Sequence, residues 1–112
     1  MPIAKAVVLP VTIPNGQSLS DAAEIGEGVL LGIQVPALTN AALTFQGSHD
    51  GVTYQNVFDP AQVEVSIPAS TGARFVQAPT TLNGLPFVKM RSGTSGAPVA
   101  QGADRILQLV VK

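Results

Sequence analysis

The sequence predicts an all-β protein, built as an antiparallel β-sandwich or barrel of about eight short strands. Short apolar and β-branched runs recur along the chain, and Gly, Pro, Asn and Asp turn signals separate them about every ten residues. No segment holds a sustained helical period of apolar residues. With 112 residues, no internal repeat and no linker, the chain is expected to form one domain, residues 1–112.

The chain opens with a predicted extended arm or edge strand over residues 1–14. Its β-branched runs favour a strand, but proline cannot donate to a ladder, so Pro10 restricts that strand to a sheet edge or a bulge. An exposed apolar edge is a liability unless something covers it. We therefore expect the arm to contact a neighbouring subunit; the alternative is an ordinary first strand bent at Pro10. The arm residues expected to make contact are Val7, Val8, Leu9, Val11 and Ile13.

The next two segments are predicted strands. Residues 18–25 are short and lie between glycine-bearing turns, which favours a strand over a short helix. Residues 29–35 are apolar on both faces and end at Pro36, as expected of a central strand.

The strongest local signal is a predicted β-hairpin over residues 43–58. Apolar and polar residues alternate along its first arm, which is the period of a half-buried strand. Asp50-Gly51 supplies the turn, because Asp tolerates and Gly readily adopts the left-handed conformation. Since aromatic residues are scarce in this chain, the three on the hairpin are expected at the centre of the core. They are Phe45, Tyr54 and Phe58.

The second half of the chain continues the pattern of short strands and turns. In residues 62–67 apolar and polar residues alternate cleanly. The side chains expected to point inward there are Val63, Val65 and Ile67. Further strands are predicted at residues 74–76, 85–91 and 104–112, and in the last of these Ile106, Gln108 and Val110 share one face.

Composition excludes several classes of function. The net charge is −1 and only 12% of residues are charged, so nothing favours binding to nucleic acid or to an anionic membrane. The 46% apolar content and the mean hydropathy of +0.34 exclude a disordered chain. They also predict a largely neutral surface. Either another subunit covers that surface, or many Ala, Ser and Thr side chains occupy it.

The sequence predicts neither a disulfide nor a membrane span. It contains no cysteine, so disulfides and thiolate metal sites are excluded. The longest apolar stretch, residues 29–38, is far shorter than the roughly 20 residues that cross a bilayer. The first residues lack the pattern of a signal peptide. A role outside the cell would therefore require lysis or assembly into a particle.

No catalytic, cofactor or metal site is predicted. His49 is the only histidine, and its neighbours Ser48 and Asp50 lie in the same tight turn, where a triad geometry does not generally form. Three carboxylates lie three residues apart, at Asp21, Glu24 and Glu27. On a helix they could meet around a hard cation, but on a strand we expect them to be solvated. The protein is therefore expected not to be an enzyme.

Two arginines flank the glycine-rich loop at residues 92–102. Arg91 ends one predicted strand and Arg105 opens the next, so we expect them to lie together with Asp104 as a charge pair at the base of the loop. The alternative is a contact with a carboxylate of another subunit, for which the guanidinium fork is suited. With Thr94 in the loop, the two arginines complete the candidate contact residues.

Residues 43–54, LTFQGSHDGVTY, resemble the strand–turn–strand of discoidin-type (galactose-binding-like) jelly rolls. In that family a Ser-x-Asp-Gly turn leads to an aromatic residue. The resemblance implies a jelly-roll sandwich. The calcium and ligand loops of that family have no match in this chain, so sugar binding is not implied.

Five segments of the chain carry a second resemblance. They are, in order, residues 15–22, 31–36, 50–51, 88–95 and 101–105. With them, most of the chain resembles small virion proteins of tailed bacteriophages, and it looks most like a capsid decoration (cement) protein of a short-tailed phage. The resemblance implies a non-enzymatic jelly roll that binds the outside of the shell and clamps neighbouring major capsid proteins. It also implies synthesis in the host cytoplasm and a place on the virion surface. Related domains serve as head fibres or tail parts.

Two expectations follow for the partners. The major capsid protein is the expected partner, and a dimer is the default for self-association, because symmetric dimers are the commonest closed assemblies. Deleting residues 1–11 is expected to abolish shell binding and leave a folded domain.

The competing function is a carbohydrate-binding module for host-surface glycan. Sugar platforms usually use exposed aromatic rings, and this chain has no Trp.

Overall fold

The computed structural model describes residues 6–39, 41–69 and 72–112, and within them it confirms the all-β prediction. One short 3-10 turn, Thr80–Leu82, precedes the eighth strand. The strands are β1 (Val7–Ile13), β2 (Leu19–Glu24), β3 (Leu30–Val35), β4 (Leu43–Ser48), β5 (Gln55–Asn56), β6 (Ser66–Ile67), β7 (Arg74–Gln77), β8 (Phe87–Ser92) and β9 (Arg105–Val111).

Two antiparallel sheets form the sandwich. Sheet A has the order β1-β9-β3-β7, and sheet B has the order β2-β8-β4-β5, with β6 also paired to β4. Because β5 and β6 both pair with β4, they act as one interrupted strand and the fold has eight strand positions. The first position then pairs with the last, the second with the seventh, the third with the sixth and the fourth with the fifth. This winding is that of a jelly roll, which confirms the predicted fold class.

The core lies between the two sheets. Alternate residues of each strand point inward, as the two-residue period requires, and the largest fully buried side chains include Phe45, Ile13, Ile33, Met90, Leu107 and Leu109. The prediction for Phe45 is therefore confirmed. Tyr54 is half-buried, with its ring 4.4 Å from Nζ of Lys89.

The prediction that Phe58 belongs to the core is wrong. Its side chain is 46% exposed. Strand β5 ends at Asn56, and Phe58 forms an isolated bridge with Glu64 rather than a pair with β4. Val63 is also exposed, contrary to its predicted inward position. The carboxylate of Asp59 accepts hydrogen bonds from the N–H groups of Ala61 and Val63, at 2.8 and 3.0 Å. The resulting turn holds residue 63 out of the strand.

The segment at residues 18–25 forms β2, so the preference for a strand over a helix is confirmed. Residues 30–35 form β3, which lies between β9 and β7 as a central strand. The prediction of a central strand is therefore confirmed. The outer side of β3 is not covered within the domain, because Leu31 and Gln34 are exposed there.

Strand β1 belongs to the domain's own sheet. It pairs with β9 along its whole length, from Val7 opposite Val111 to Ile13 opposite Arg105. Val11 and Ile13 are buried in the core, so their side chains offer no contact surface and the expectation for these two is corrected. The part of the predicted arm before residue 6 lies outside the described residues.

The outer edge of β1 is poor in hydrogen-bond donors. The N–H of Thr12 donates to Oδ1 of Asp21 at 2.8 Å, so it points away from β9. Outward N–H groups recur at every second residue of an antiparallel strand, which places positions 8 and 10 on the same edge. Proline has no N–H at position 10. Among the described residues, Val8 therefore supplies the one outward N–H of β1 without a hydrogen-bond partner. This edge does not favour the addition of a neighbouring strand.

Candidate functional site: an uncharged sheet face

The outer face of sheet A carries no charged side chain in the part of the chain that the structure describes. The register places Val8 beside Val110 and Pro10 beside Gln108. On the other side of β9, Val110 lies beside Gly32 and Gln108 beside Gln34. Gly32 and Gln34 in turn lie beside Gln77 and Phe75 of β7. We call the following ten residues the neutral face: Val8, Pro10, Thr12, Gly32, Gln34, Phe75, Gln77, Ile106, Gln108 and Val110.

Large apolar side chains stand exposed on the neutral face. Phe75 is 63% exposed, Val8 55% and Ile106 52%. The ring of Phe75 lies over Gly32, where an added Cβ would come within 2.8 Å of a ring carbon. A glycine in the middle of β3 therefore allows the ring to lie close to the sheet. Several large apolar side chains exposed on one sheet face are typical of an interaction site on soluble proteins.

The polar groups of the neutral face are amides and a hydroxyl. Gln34 and Gln108 are directly opposite each other on β3 and β9. An amide both donates and accepts hydrogen bonds without carrying charge. These two side chains can therefore form hydrogen bonds with either donors or acceptors on an uncharged partner. Beside them lies a depression of about 290 Å³, which Pro36, Ala73 and Ile106 also line. Its position would admit a side chain from a partner.

Charged side chains lie at the margin of the neutral face and are engaged within the domain. Arg74 donates to the backbone oxygen of Pro68 at 2.7 Å. Arg105 donates from Nε to Oε1 of Gln101 at 3.1 Å and from Nη2 to Oγ1 of Thr39 at 3.2 Å. Asp104 accepts the backbone N–H of Asn15 at 2.8 Å. Arg105 therefore joins two loops at this end of the sandwich.

Arg91 is buried rather than available to another subunit. Its Nη2 is 2.9 Å from Oε2 of Glu64, its Nη1 is 2.8 Å from Oδ1 of Asn56, and its Nε is 3.0 Å from Oγ1 of Thr44. The side chains of Arg91 and Glu64 are 7% and 15% exposed. The expected pairing of Arg91 with Asp104 is wrong, because the connection between β5 and β6 brings Glu64 onto the outer side of sheet B instead.

The loop after β8 is attached to the same ion pair. Both carboxylate oxygens of Glu64 lie 3.2 Å from the backbone N of Ser95. Oγ1 of Thr94 accepts the N–H of Ala97 at 3.0 Å and closes a tight turn. Thr94 itself remains exposed. Glu64 thus links the buried guanidinium of Arg91 to an exposed loop.

The predicted contact residues fall into three groups by exposure, and the buried group consists of Val11, Ile13 and Arg91. Val7, Val8 and Thr94 are exposed, and Val8 belongs to the neutral face. Leu9 packs against the core and Arg105 is half-buried. Sequence reasoning did not select the outward residues of β9 as a contact surface. Their shared face was visible in the alternation of residues 104–112, which supplied the one local signal for this site.

The acidic residues of β2 do not assemble a metal centre. Asp21 accepts the N–H of Thr12, and Glu24 ends the strand. Within the described residues, no three His, Asp or Glu side chains gather closely enough to bind a metal ion. Likewise, none of the described segments forms a helix with the length and hydropathy of a membrane span.

The turn after β4 is organised by the Asp50 carboxylate. Its Oδ1 accepts the N–H groups of Thr53 and Val52, at 3.0 and 2.9 Å, and the hydroxyl of Ser48 at 2.9 Å. These hydrogen bonds lower the pKa of Asp50 from 3.8 to about 2. The Ser48 hydroxyl thus donates to Asp50 within the turn.

We expect the Asp50 carboxyl carbon to titrate near pH 2 in an NMR pH series. Because the folded-state pKa is depressed, the turn's contribution to stability is present above about pH 4 and is lost as the pH falls towards 2. Ser48→Ala removes one of the three donors and should move the pKa back towards 3.8. A midpoint near 3.8 in the unmodified protein would contradict the hydrogen-bonded turn.

Comparison with known proteins places the fold. The sequence matches no protein-family model, and no curated protein matches it. Among solved structures, the chain is similar to the SPBc2 prophage-derived protein YomS, with a TM-score of 0.58 and 12% sequence identity. The similarity covers 100% of this chain and 99% of that chain. At this identity the similarity shows a shared fold, and it extends from the first strand to the last.

Proposed function

We propose that this protein is a structural component of a bacteriophage virion that binds the outside of the capsid and clamps neighbouring major capsid proteins. The observation that carries the proposal is the neutral face, an uncharged surface across all four strands of sheet A. Such a face fits a protein that acts by covering a partner. The prophage origin of YomS, which has the same fold, and the resemblance of the sequence to decoration proteins support the same role.

The composition of the neutral face suits docking onto a large neutral surface. Burying Val8, Phe75 and Ile106 removes apolar area from water, which favours association. No charge has to be desolvated, because the charged side chains lie at the margin. Binding should therefore depend little on ionic strength, since screening acts on charged pairs. A protein that binds the assembled shell but not its free subunits stabilises the shell by mass action.

The test is co-sedimentation with expanded phage heads that lack this protein, compared with unassembled capsid subunits. We expect saturable binding to the heads, no binding to the subunits, and little change between 50 and about 500 mM salt, where the Debye length falls several-fold. The plateau gives the number of copies on each shell. Absence of binding to heads, or equal binding to free subunits, would overturn the proposal.

We expect that deleting the first eleven residues will not separate binding from folding, which revises the sequence-based expectation. The deletion removes most of β1, including the buried side chain of Val11 and the ladder with β9. We therefore expect the shortened chain to lose its cooperative thermal unfolding transition in circular dichroism. A cooperative transition close to that of the intact protein would contradict the role of β1 in the sheet. Point substitutions on the neutral face are the informative variants.

A further inference from the structure

An asparagine or aspartate stands directly before a glycine at three turns of the chain: Asn15-Gly16, Asp50-Gly51 and Asn83-Gly84. Glycine lacks a Cβ, so its backbone nitrogen can come close to the carbonyl carbon of the preceding side chain. Attack of that nitrogen closes a five-membered succinimide ring, and as an intramolecular reaction it depends on how freely the two groups meet. The three pairs differ in whether the glycine nitrogen is free to attack.

The backbone around Asn15 is held on both sides. The N–H of Gly16 donates to the backbone oxygen of Gln101 at 2.7 Å, and the N–H of Asn15 donates to Oδ1 of Asp104 at 2.8 Å. Ring closure requires the Gly16 nitrogen to lose its proton and to turn towards the Asn15 side chain, which breaks the hydrogen bond to Gln101. The bond to Asp104 keeps Asn15 from moving together with it. The fold therefore protects this pair.

The Asp50-Gly51 pair is protected in the same way. The N–H of Gly51 donates to Oγ of Ser48 at 2.9 Å. Oδ1 of Asp50 accepts the N–H groups of Val52 and Thr53, so the carboxyl group cannot turn towards Gly51 without losing these bonds. Both reacting groups are thus already engaged in the turn.

The Asn83-Gly84 pair is not held. Both residues are exposed, between the 3-10 turn Thr80–Leu82 and β8. Among the described residues, neither the N–H of Gly84 nor the side chain of Asn83 makes a hydrogen bond. The N–H of Asn83 donates to the oxygen of Thr80 at 3.0 Å, but rotation about the Cα–C bond of Asn83 moves Gly84 and leaves this bond in place. The reacting nitrogen is therefore free to turn.

We propose that Asn83 is a site of spontaneous deamidation in the folded protein. The Gly84 nitrogen, once solvent has removed its proton, attacks Cγ of Asn83. A C–N bond forms, and the side-chain nitrogen takes a proton and leaves as ammonia. Water then adds to either carbonyl carbon of the succinimide and breaks one ring C–N bond, which gives aspartate or isoaspartate. The net reaction consumes one water and releases one ammonia, and it needs neither an oxidant nor a reductant.

The modification changes the surface near β4. The product carries one additional negative charge, and in isoaspartate the main chain gains one methylene group before Leu85. The Leu85 side chain lies over Gly47 of β4, where an added Cβ would come within 2.7 Å of it. The longer chain displaces Leu85 from this position. The neutral face does not include position 83, so shell binding of the deamidated protein should match that of the unmodified protein, and this inference does not depend on the proposed function.

The experiment is incubation of the intact protein at mildly alkaline pH, followed over time by peptide mapping with mass spectrometry. Trypsin cleaves after Arg74 and Lys89, so residues 75–89 report on Asn83, whereas Asn15 is read in a different peptide. We expect Asn83 to deamidate at least tenfold faster than Asn15, because no hydrogen bond holds its attacking nitrogen. This ratio corresponds to about 1.4 kcal/mol of activation free energy. Equal rates at the two asparagines of the folded chain would overturn the proposal.

The denatured chain and two variants supply the controls. In denaturant nothing protects Gly16, so the two asparagines should react at similar rates. Asp104→Ala, at an exposed position, releases the N–H of Asn15 and should raise the rate there severalfold while the rate at Asn83 stays the same. Asn83→Gln should abolish the reaction at this position, because the longer side chain would have to close a six-membered ring. A folded protein whose Asn83 stays intact while the denatured chain reacts would overturn the assignment.

Discussion

Replacing Arg91 by methionine is expected to lower the free energy of unfolding by about 3 kcal/mol. Breaking a buried ion pair typically costs about 3–5 kcal/mol, because the remaining charge stays buried without a partner. The Glu64 carboxylate keeps 15% of its side-chain surface exposed, and this partial solvation places the expected value at the lower end. Thr44 and Asn56 lose hydrogen bonds to the guanidinium in the same variant.

Chemical denaturation of the variant and two controls measures this effect. Arg74→Met, which removes one hydrogen bond at an exposed site, should cost less than about 1 kcal/mol. The double variant Arg91→Met with Glu64→Leu should recover part of the loss, because it leaves no unpaired buried charge. A loss below about 1 kcal/mol for Arg91→Met alone would contradict the buried pair as a stabilising contact.

Replacing Gln108 by glutamate is expected to weaken shell binding at least a hundredfold, or about 2.8 kcal/mol at about 1.4 kcal/mol per tenfold. The two side chains have nearly the same shape, so the change places one negative charge at the centre of the neutral face with little steric effect. No cation of the face can pair with it once the surface is covered, and an unpaired charge in an interface costs several kcal/mol. The proposed docking through this face therefore predicts a large effect from a small change.

The matched control is Gln62→Glu, which adds the same charge at an exposed position in the turn between β5 and β6. It should bind shells like the unmodified protein. Both variants should keep the unfolding free energy within about 1 kcal/mol of the parent. If Gln108→Glu binds heads as tightly as Gln62→Glu does, the neutral face is not the docking surface.

Local alternation predicted much of the fold, because strands and turns are largely determined by neighbouring residues. The hairpin strand around Phe45 and the last strand of the chain were read correctly for this reason. The prediction that Phe58 is buried fails because β5 contains only two residues. The inward and outward alternation of a strand does not extend to a residue that lies beyond the end of that strand. The scarcity of aromatic residues predicts that Phe58 belongs to the core, whereas the path of the chain leaves its side chain exposed to solvent.

The candidate site was less predictable, because it depends on pairing between distant segments. The neutral face exists only when Val8 lies beside Val110 and Gln34 beside Phe75. A shift of one residue in either register would turn the core side chains outward, and no local pattern specifies such long-range registers. The partner of Arg91 could not be predicted for the same reason, since Glu64 reaches it from the connection between β5 and β6, which is distant from Arg91 in the sequence.

The edges of both sheets limit how this protein can self-associate. In sheet A, β1 lacks free outward donors at Pro10 and Thr12, and β7 has four residues. In sheet B, β2 is interrupted between Leu19 and Ala22, and β5 has two residues. Fibrils grow when an exposed edge templates the next strand, and none of these edges offers a long, regular row of donors and acceptors. The folded chain therefore presents no edge that favours the growth of cross-β aggregates in the part that the structure describes.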